Sequence, residues 1–93
     1  MRPELAALQR AGITRARFSA RYAGRSKQGF ILLSDVETPI GGHLDHAWIR
    51  PWHWHGPIPA EPGQHVEFKA QIEPYWRDSG ESDLGLFRLE VLP

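Results

Sequence analysis

Residues 15–25 alternate between apolar and polar side chains with a period of two, and only an extended strand converts that pattern into two distinct faces. The face predicted to enter a core carries Phe18, Ala20 and Tyr22. The opposite face carries Arg17, Ser19 and Arg21. The first strand is predicted at 18–23 within this segment, and its outer surface is expected to attract a negatively charged partner.

The rest of the chain predicts one helix and four further strands. Residues 3–11 form the helix, with Pro3 in its first turn and Gly12 after its last. The strands are predicted at 30–36, 43–50, 63–73 and 84–92. Pro74 is predicted to end the fourth strand, which has the most regular alternation. Phe87, Leu89 and Val91 are expected to point inward from the fifth, and Trp48 and His46 are expected to be buried in the third.

Residues 51–63 contain four prolines, and that density excludes a helix or a central strand. A three-strand meander, a stiff connection and two more strands then remain. We predict a single domain over residues 1–93, all-β apart from the helix at 3–11, with residues 15–93 forming a five-stranded antiparallel barrel.

Composition narrows the functional classes. With 41% hydrophobic and 24% charged residues, the chain is typical of a globular domain, and no apolar run is long enough to cross a membrane. There is no cysteine, so a cytoplasmic location is expected. Residues 1–30 carry a net charge of +6 and the remainder −6. This asymmetry favours a polyanion as partner, although the two halves could instead neutralise each other across the folded surface.

Three segments carry a resemblance to a known class of proteins. They are Gly12-Ile13 leading into Phe18-Ser19-Ala20-Arg21, then Asp45-His46-Ala47-Trp48-Ile49, and Pro62 to Phe68 followed by Glu73-Pro74-Tyr75. In these the chain resembles small single-stranded nucleic-acid-binding proteins of bacteria and mobile elements that have an OB-like fold. The resemblance implies an OB-like barrel and a nucleic-acid role. OB folds usually place a helix between the third and fourth strands, but residues 51–63 cannot form one, so the amino-terminal helix is expected to cap the barrel.

Basic and aromatic residues meet in the two loops through which OB folds bind, at 24–29 and 75–83. Phosphates need cations and unstacked bases need flat apolar surfaces, so this combination is typical of single-strand binding. The expected phosphate contacts are Arg17, Arg21, Arg25, Lys27 and Arg77. The expected stacking residues are Trp52, Trp54, Tyr75 and Trp76. The acidic residues Asp78, Glu81 and Asp83 at the loop tip oppose a phosphate backbone.

Two alternatives concern the tryptophans of residues 51–63. Trp52 and Trp54 could form a shared stacking shelf, or they could fold over the barrel mouth in place of the missing helix. Exposed, they would instead anchor a host protein, so a protein-interaction module, such as an inhibitor or adaptor, is the alternative function. A homodimer is compatible with such a surface.

The histidines suggest a metal site only weakly. Asp45 could supply an oxygen ligand beside the histidines. However, His43 and His46 would point to opposite faces of a strand, and only His53 and His55 would lie on the same face. The sequence has no phosphate-binding glycine loop, zinc-protease motif or cysteine nucleophile. We therefore expect no metal, no cofactor and no catalytic residues.

Overall fold

One short helix and six strands form in the computed structural model, which describes residues 2–93. Met1, part of the domain predicted over 1–93, lies outside the described residues. The elements are α1 Pro3–Arg10, β1 Arg15–Arg25, β2 Ile31–Glu37, β3 His43–Ile49, β4 Trp54–His55, β5 His65–Trp76 and β6 Ser82–Val91, with a 3-10 turn at Pro51–His53. The prediction of a mostly β chain with one amino-terminal helix is confirmed. No helix within residues 2–93 is long and apolar enough to span a bilayer.

The strands form one six-stranded sheet in the order β3-β2-β1-β5-β6-β4. Its pairs are antiparallel except for β4, which runs parallel to β6. The prediction of five antiparallel strands closed into a barrel is therefore not confirmed, because a sixth strand is present and β3 and β6 are not hydrogen-bonded to each other within the described chain. The sixth strand arises inside the proline-rich segment, where two residues between prolines suffice for a short edge strand.

The core forms as the alternation of the first and fourth predicted strands indicates. Phe18, Ala20 and Tyr22 of β1 are buried, and the rings of Phe18 and Phe68 stack with centroids 5.6 Å apart. The β5 residues that fill the same core are Val66, Phe68, Ala70 and Ile72. Helix α1 contributes its fully buried Leu5 and Leu8, which explains how so short a helix is held in place.

The prediction of a buried Trp48 and a buried His46 is wrong, because both side chains are exposed on β3. Asp35 in the paired strand β2 adopts a left-handed backbone conformation with φ of 49°. That residue interrupts the pleat, so that Leu33 and Val36, three residues apart, both face the core. The β3 residues opposite them, Ala47 and Leu44, face the core as well, and Trp48 is turned outward.

Strands β5 and β6 also depart from expectation. Pro74 does not end β5, which continues to Trp76. Pairing of β5 with β1 reaches Gln71, and the last hydrogen bond on that edge runs from the Ile72 N–H to the Thr14 carbonyl. Within residues 2–93, no neighbour on that edge therefore needs an N–H from residue 74. In β6, Leu89 is buried as predicted, but Phe87 and Val91 are only half-buried. A bulge at Arg88, also at φ 49°, shifts the register and leaves Phe87 off the core face.

We expect the substitution Asp35→Gly to raise the free energy of unfolding by about 0.5–1 kcal/mol, because glycine adopts the left-handed conformation without the steric cost of a Cβ atom. Asp35 is exposed, and its carboxylate contacts only His43, at 3.3 Å, among the residues described. Urea denaturation at neutral pH measures the change. A decrease in stability would show that the Asp35 contact with His43 outweighs the backbone strain.

Candidate functional site: an aromatic and cationic cleft

A cleft of about 540 Å³ lies between β3 and β6, where the sheet is left open. Each of the two strands contributes three consecutive residues to its walls. These are His46, Ala47 and Trp48 of β3 and Gly85, Leu86 and Phe87 of β6. The other lining residues are Arg2, Phe30, Arg50, His53, Tyr75, Trp76, Arg77 and Asp78. The cleft is thus lined mainly by aromatic and basic side chains.

Local irregularities in β2 and β6 direct Trp48 and Phe87 toward the cleft. The interruption at Asp35 turns Trp48 outward, and the bulge at Arg88 does the same for Phe87. Gly85 leaves room for Tyr75 to lie across β6. A Cβ atom at that position would approach Tyr75 Cε1 to 3.0 Å and Phe87 Cε2 to 3.2 Å. The cleft therefore depends on one glycine and two left-handed residues.

The aromatic groups form a continuous series instead of scattered patches. Successive ring centroids, or the Arg50 Cζ atom and the ring it covers, are 5.1 to 6.4 Å apart. In order, the series runs through Trp48, Phe30, Arg50, Trp52, His53, Phe87 and Tyr75. A ligand with several flat rings would find adjacent stacking surfaces along it.

Three tryptophans at this site are largely accessible. The exposed fractions are 59% for Trp48, 65% for Trp52 and 77% for Trp76. Trp48 and Trp76 line the cleft, and Trp52 lies beside it in the ring series. Large exposed apolar patches often mark interaction sites. The cleft therefore has the character of a binding surface.

Arg50 supplies a cation without an internal counter-ion. Its Cζ atom lies 5.7 Å from the centroid of Phe30 and 5.6 Å from that of Trp52. Within residues 2–93 its guanidinium makes no hydrogen bond or ion pair to another side chain or to the backbone, although it sits among rings that orient it. Its donors remain available to an anion that enters the cleft.

The arginines of β1 are used differently. Arg17 donates to Glu67 at 2.9 Å, and Arg21 donates to the Gly63 carbonyl at 3.2 Å. Arg25 donates twice to the Gly29 carbonyl, at 3.1 and 3.0 Å. None of the three lines the cleft. The basic face predicted for β1 exists, but each of these three guanidinium groups already donates at least one hydrogen bond within the protein.

Asp83 fixes the end of the cleft formed by the β5–β6 turn. It is 2% exposed, and its carboxylate accepts hydrogen bonds from the backbone N–H groups of Arg2 and Leu84, at 3.0 and 2.8 Å, and from Arg77. Burial opposes its ionisation, but the hydrogen bonds from Leu84 and Arg77 and the charge of Arg77 outweigh burial, so the pKa of Asp83 is lowered. The same contact raises the pKa of Arg77.

No family model, curated protein or solved structure matches this chain.

The sequence-predicted site residues divide between the cleft and other surfaces. Tyr75, Trp76 and Arg77 line the cleft, and Trp52 lies in the ring series. Lys27 is exposed in the turn between β1 and β2. Trp54 is 8% exposed and donates its Nε1–H to the Pro57 carbonyl at 3.3 Å. The two tryptophans therefore form neither a shared shelf nor a joint cap, since one is exposed and the other packs into the core.

Sequence reasoning missed several cleft residues, among them Phe30, Arg50, His53 and Phe87. One signal was present, since Arg50 stands two residues from Trp48 and from Trp52 in the sequence. The acidic loop tip is also divided. Asp83 folds inward to Arg77, and Asp78 remains at the cleft.

The histidines act singly. His43 lies near Asp35, and the Nδ1 atom of His53 accepts a hydrogen bond from the Arg88 backbone N–H at 3.2 Å. Across residues 2–93 no group of three or more histidine, aspartate or glutamate side chains is arranged to hold a metal ion.

Proposed function

We propose that this protein binds single-stranded nucleic acid in the cleft between β3 and β6, without catalysing a reaction. The observation that carries the proposal is the continuous aromatic series with the unpaired Arg50 within it. Bases stack on the exposed indoles, and guanidinium groups contact the phosphates between them. A duplex is disfavoured, because its bases already stack on one another and do not present free faces.

The energetics suit several modest contacts. Each base stacked on an aromatic side chain contributes about 1–3 kcal/mol, and every base has a face that can stack. Three exposed tryptophans therefore support affinity with weak sequence preference. Arg50 adds a charge-assisted contact that weakens as salt rises.

The strand order supports the same proposal. A β1-β2-β3 meander, followed by β5 and β6 added to the free edge of β1, is compatible with an OB-like barrel that has opened at the seam between β3 and β6. The binding site on such a barrel would then be the cleft between β3 and β6 together with the outward side of β3. The site predicted from the sequence shares Tyr75, Trp76 and Arg77 with this cleft, but it placed most of its phosphate contacts on the arginines of β1.

We expect Arg50→Ala to lower the affinity for a single-stranded oligonucleotide about 5- to 30-fold, because one phosphate contact is lost. For the same reason, the plot of log affinity against log salt concentration should become less steep by about 0.7. Fluorescence anisotropy with labelled oligo-dT and oligo-U of roughly 12 nucleotides measures both quantities. Arg17→Ala is the matched control. Arg17 already pairs with Glu67, so affinity should stay within about two-fold of the unmodified protein.

Absence of oligonucleotide binding at low salt would overturn the proposal. The competing function, a protein-interaction module anchored by tryptophans, retains support from the exposure of Trp52. Only one of the two tryptophans expected to anchor a partner is exposed, because Trp54 is buried. Capture of one host protein that depends on Trp52 and not on Arg50, together with no oligonucleotide binding, would favour that alternative.

A further inference from the structure

Arg88 occupies a backbone position that suits glycine better than arginine. Its φ of 49° lies in the left-handed region, and it forms the bulge in β6 between the pairs Lys69 with Glu90 and Gln71 with Phe87. Bulges with a left-handed residue commonly place glycine there, since a side chain is costly in that conformation. An arginine in this conformation, as at Asp35 on β2, marks a position to examine for a functional contact.

Hydrogen bonds to its backbone N–H and to its backbone carbonyl hold Arg88 in place. Its N–H donates to His53 Nδ1 at 3.2 Å, and its carbonyl accepts from Arg15 Nη1 at 3.0 Å. His53 lines the cleft, and Arg15 belongs to β1. Arg88 therefore stands between a residue of the cleft wall and the β1 strand.

The Arg88 side chain is exposed and uncommitted. No residue between 2 and 93 makes a hydrogen bond or an ion pair with its guanidinium. The nearby carboxylate of Glu90 contacts Arg15, at 3.5 Å. An exposed, unpaired guanidinium on a rigidly held bulge is well placed to contact a phosphate.

We propose that Arg88 contacts the nucleic-acid backbone where the strand leaves the cleft, and directs it toward Arg15 at the start of β1. This inference rests on the proposed function and extends it, because it assigns a second, outer segment to the binding path. Bases in the cleft stack on the aromatic series, and the outer segment is held through its phosphates alone. Arg88 should then matter for long oligonucleotides and not for short ones.

The test compares Arg88→Gly with Asp35→Gly, which relieves the same backbone conformation on β2 outside the cleft. Both variants should melt a few degrees higher than the unmodified protein. Binding is measured with oligo-dT of roughly 4 and roughly 12 nucleotides. Arg88→Gly should bind the short oligonucleotide normally, lose about five-fold or more in affinity for the long one, and show a salt slope lower by about 0.7 for the long one only. Asp35→Gly should bind both normally, because glycine keeps the left-handed backbone that turns Trp48 outward and Asp35 itself does not line the cleft.

Two further variants keep the test decisive. Arg88→Lys should retain most of the long-oligonucleotide affinity, and Arg88→Gln should lose as much as Arg88→Gly without changing the bulge. If Arg88→Gln and Arg88→Gly bind the long oligonucleotide as tightly as the unmodified protein, the inference is wrong. If Arg88→Gly is poorly folded, the comparison of lysine with glutamine decides. Failure of the proposed function gives a different result, in which the unmodified protein binds neither oligonucleotide.

Discussion

Replacing Asp83 by alanine is expected to lower the free energy of unfolding by about 2–4 kcal/mol, because a buried carboxylate that satisfies several donors is removed. The N–H groups of Arg2 and Leu84 would lose their acceptor, and Arg77 would lose its counter-ion. The contact with Arg2 also joins the start of α1 to the start of β6. Equilibrium denaturation in urea measures the loss.

The matched control for this prediction is Asp78→Ala. Asp78 is an exposed carboxylate in the turn that precedes β6, so its removal should change stability by no more than about 0.5 kcal/mol. A loss of less than about 1 kcal/mol for Asp83→Ala would contradict the role assigned to this carboxylate.

The stability of the protein at acidic pH should depend on the same carboxylate. The pKa of Asp83 is lower in the folded protein than in the unfolded chain, so the charged form stabilises the fold at any pH above the unfolded value, which is about 3.9. This contribution is lost as the pH falls through the lowered pKa of the folded state. Asp83→Asn should therefore lose less stability than the unmodified protein between about pH 5 and pH 2.

Removing the two cleft tryptophans that lie on β3 and at the end of β5 should have the largest effect on binding. Each stacked base contributes about 1–3 kcal/mol, so Trp48→Ala with Trp76→Ala is expected to lower oligonucleotide affinity about 100-fold. Both side chains are largely exposed, so the fold should survive the change. Anisotropy with a labelled 12-nucleotide strand, roughly the length one such domain covers, provides the measurement.

Ile40→Ala is the control for that pair. Ile40 is another exposed, large apolar residue, but it does not line the cleft. Its removal should leave affinity unchanged, whereas Trp48→Phe with Trp76→Phe should restore part of it because a flat ring remains. If the alanine pair bound as tightly as the Ile40 variant, stacking in the cleft would be excluded as the source of affinity.

Strands with uninterrupted alternation were predictable from the sequence, and those with a left-handed residue were not. β1 and the buried half of β5 follow their patterns residue by residue. In β2 and β6 a single residue, Asp35 or Arg88, reverses the faces that follow. Neither residue is a glycine that would have indicated an interruption, so the outward positions of Trp48 and Phe87 could not be deduced from composition.

The site was predictable only where its residues are neighbours in sequence. Tyr75, Trp76 and Arg77 were identified from their loop, whereas Phe30 and Arg50 come together only through strand pairing. The phosphate contacts predicted at the β1 arginines were limited in the same way, because the partners of these arginines are distant in sequence. The register that brings Arg17 to Glu67 appears only in the fold, and it supports partial neutralisation between the basic and acidic halves.

The most direct test of the central claim is a ¹H–¹⁵N NMR titration of the four tryptophan indole N–H signals with a single-stranded oligonucleotide. Trp48, Trp52 and Trp76 are exposed at or beside the cleft, and their signals should shift. The Trp54 indole is buried and donates to the Pro57 carbonyl, so its signal should stay in place as an internal control. Binding that shifts none of the three exposed indoles, and moves only backbone signals of β1, would contradict the assignment of the cleft as the binding site.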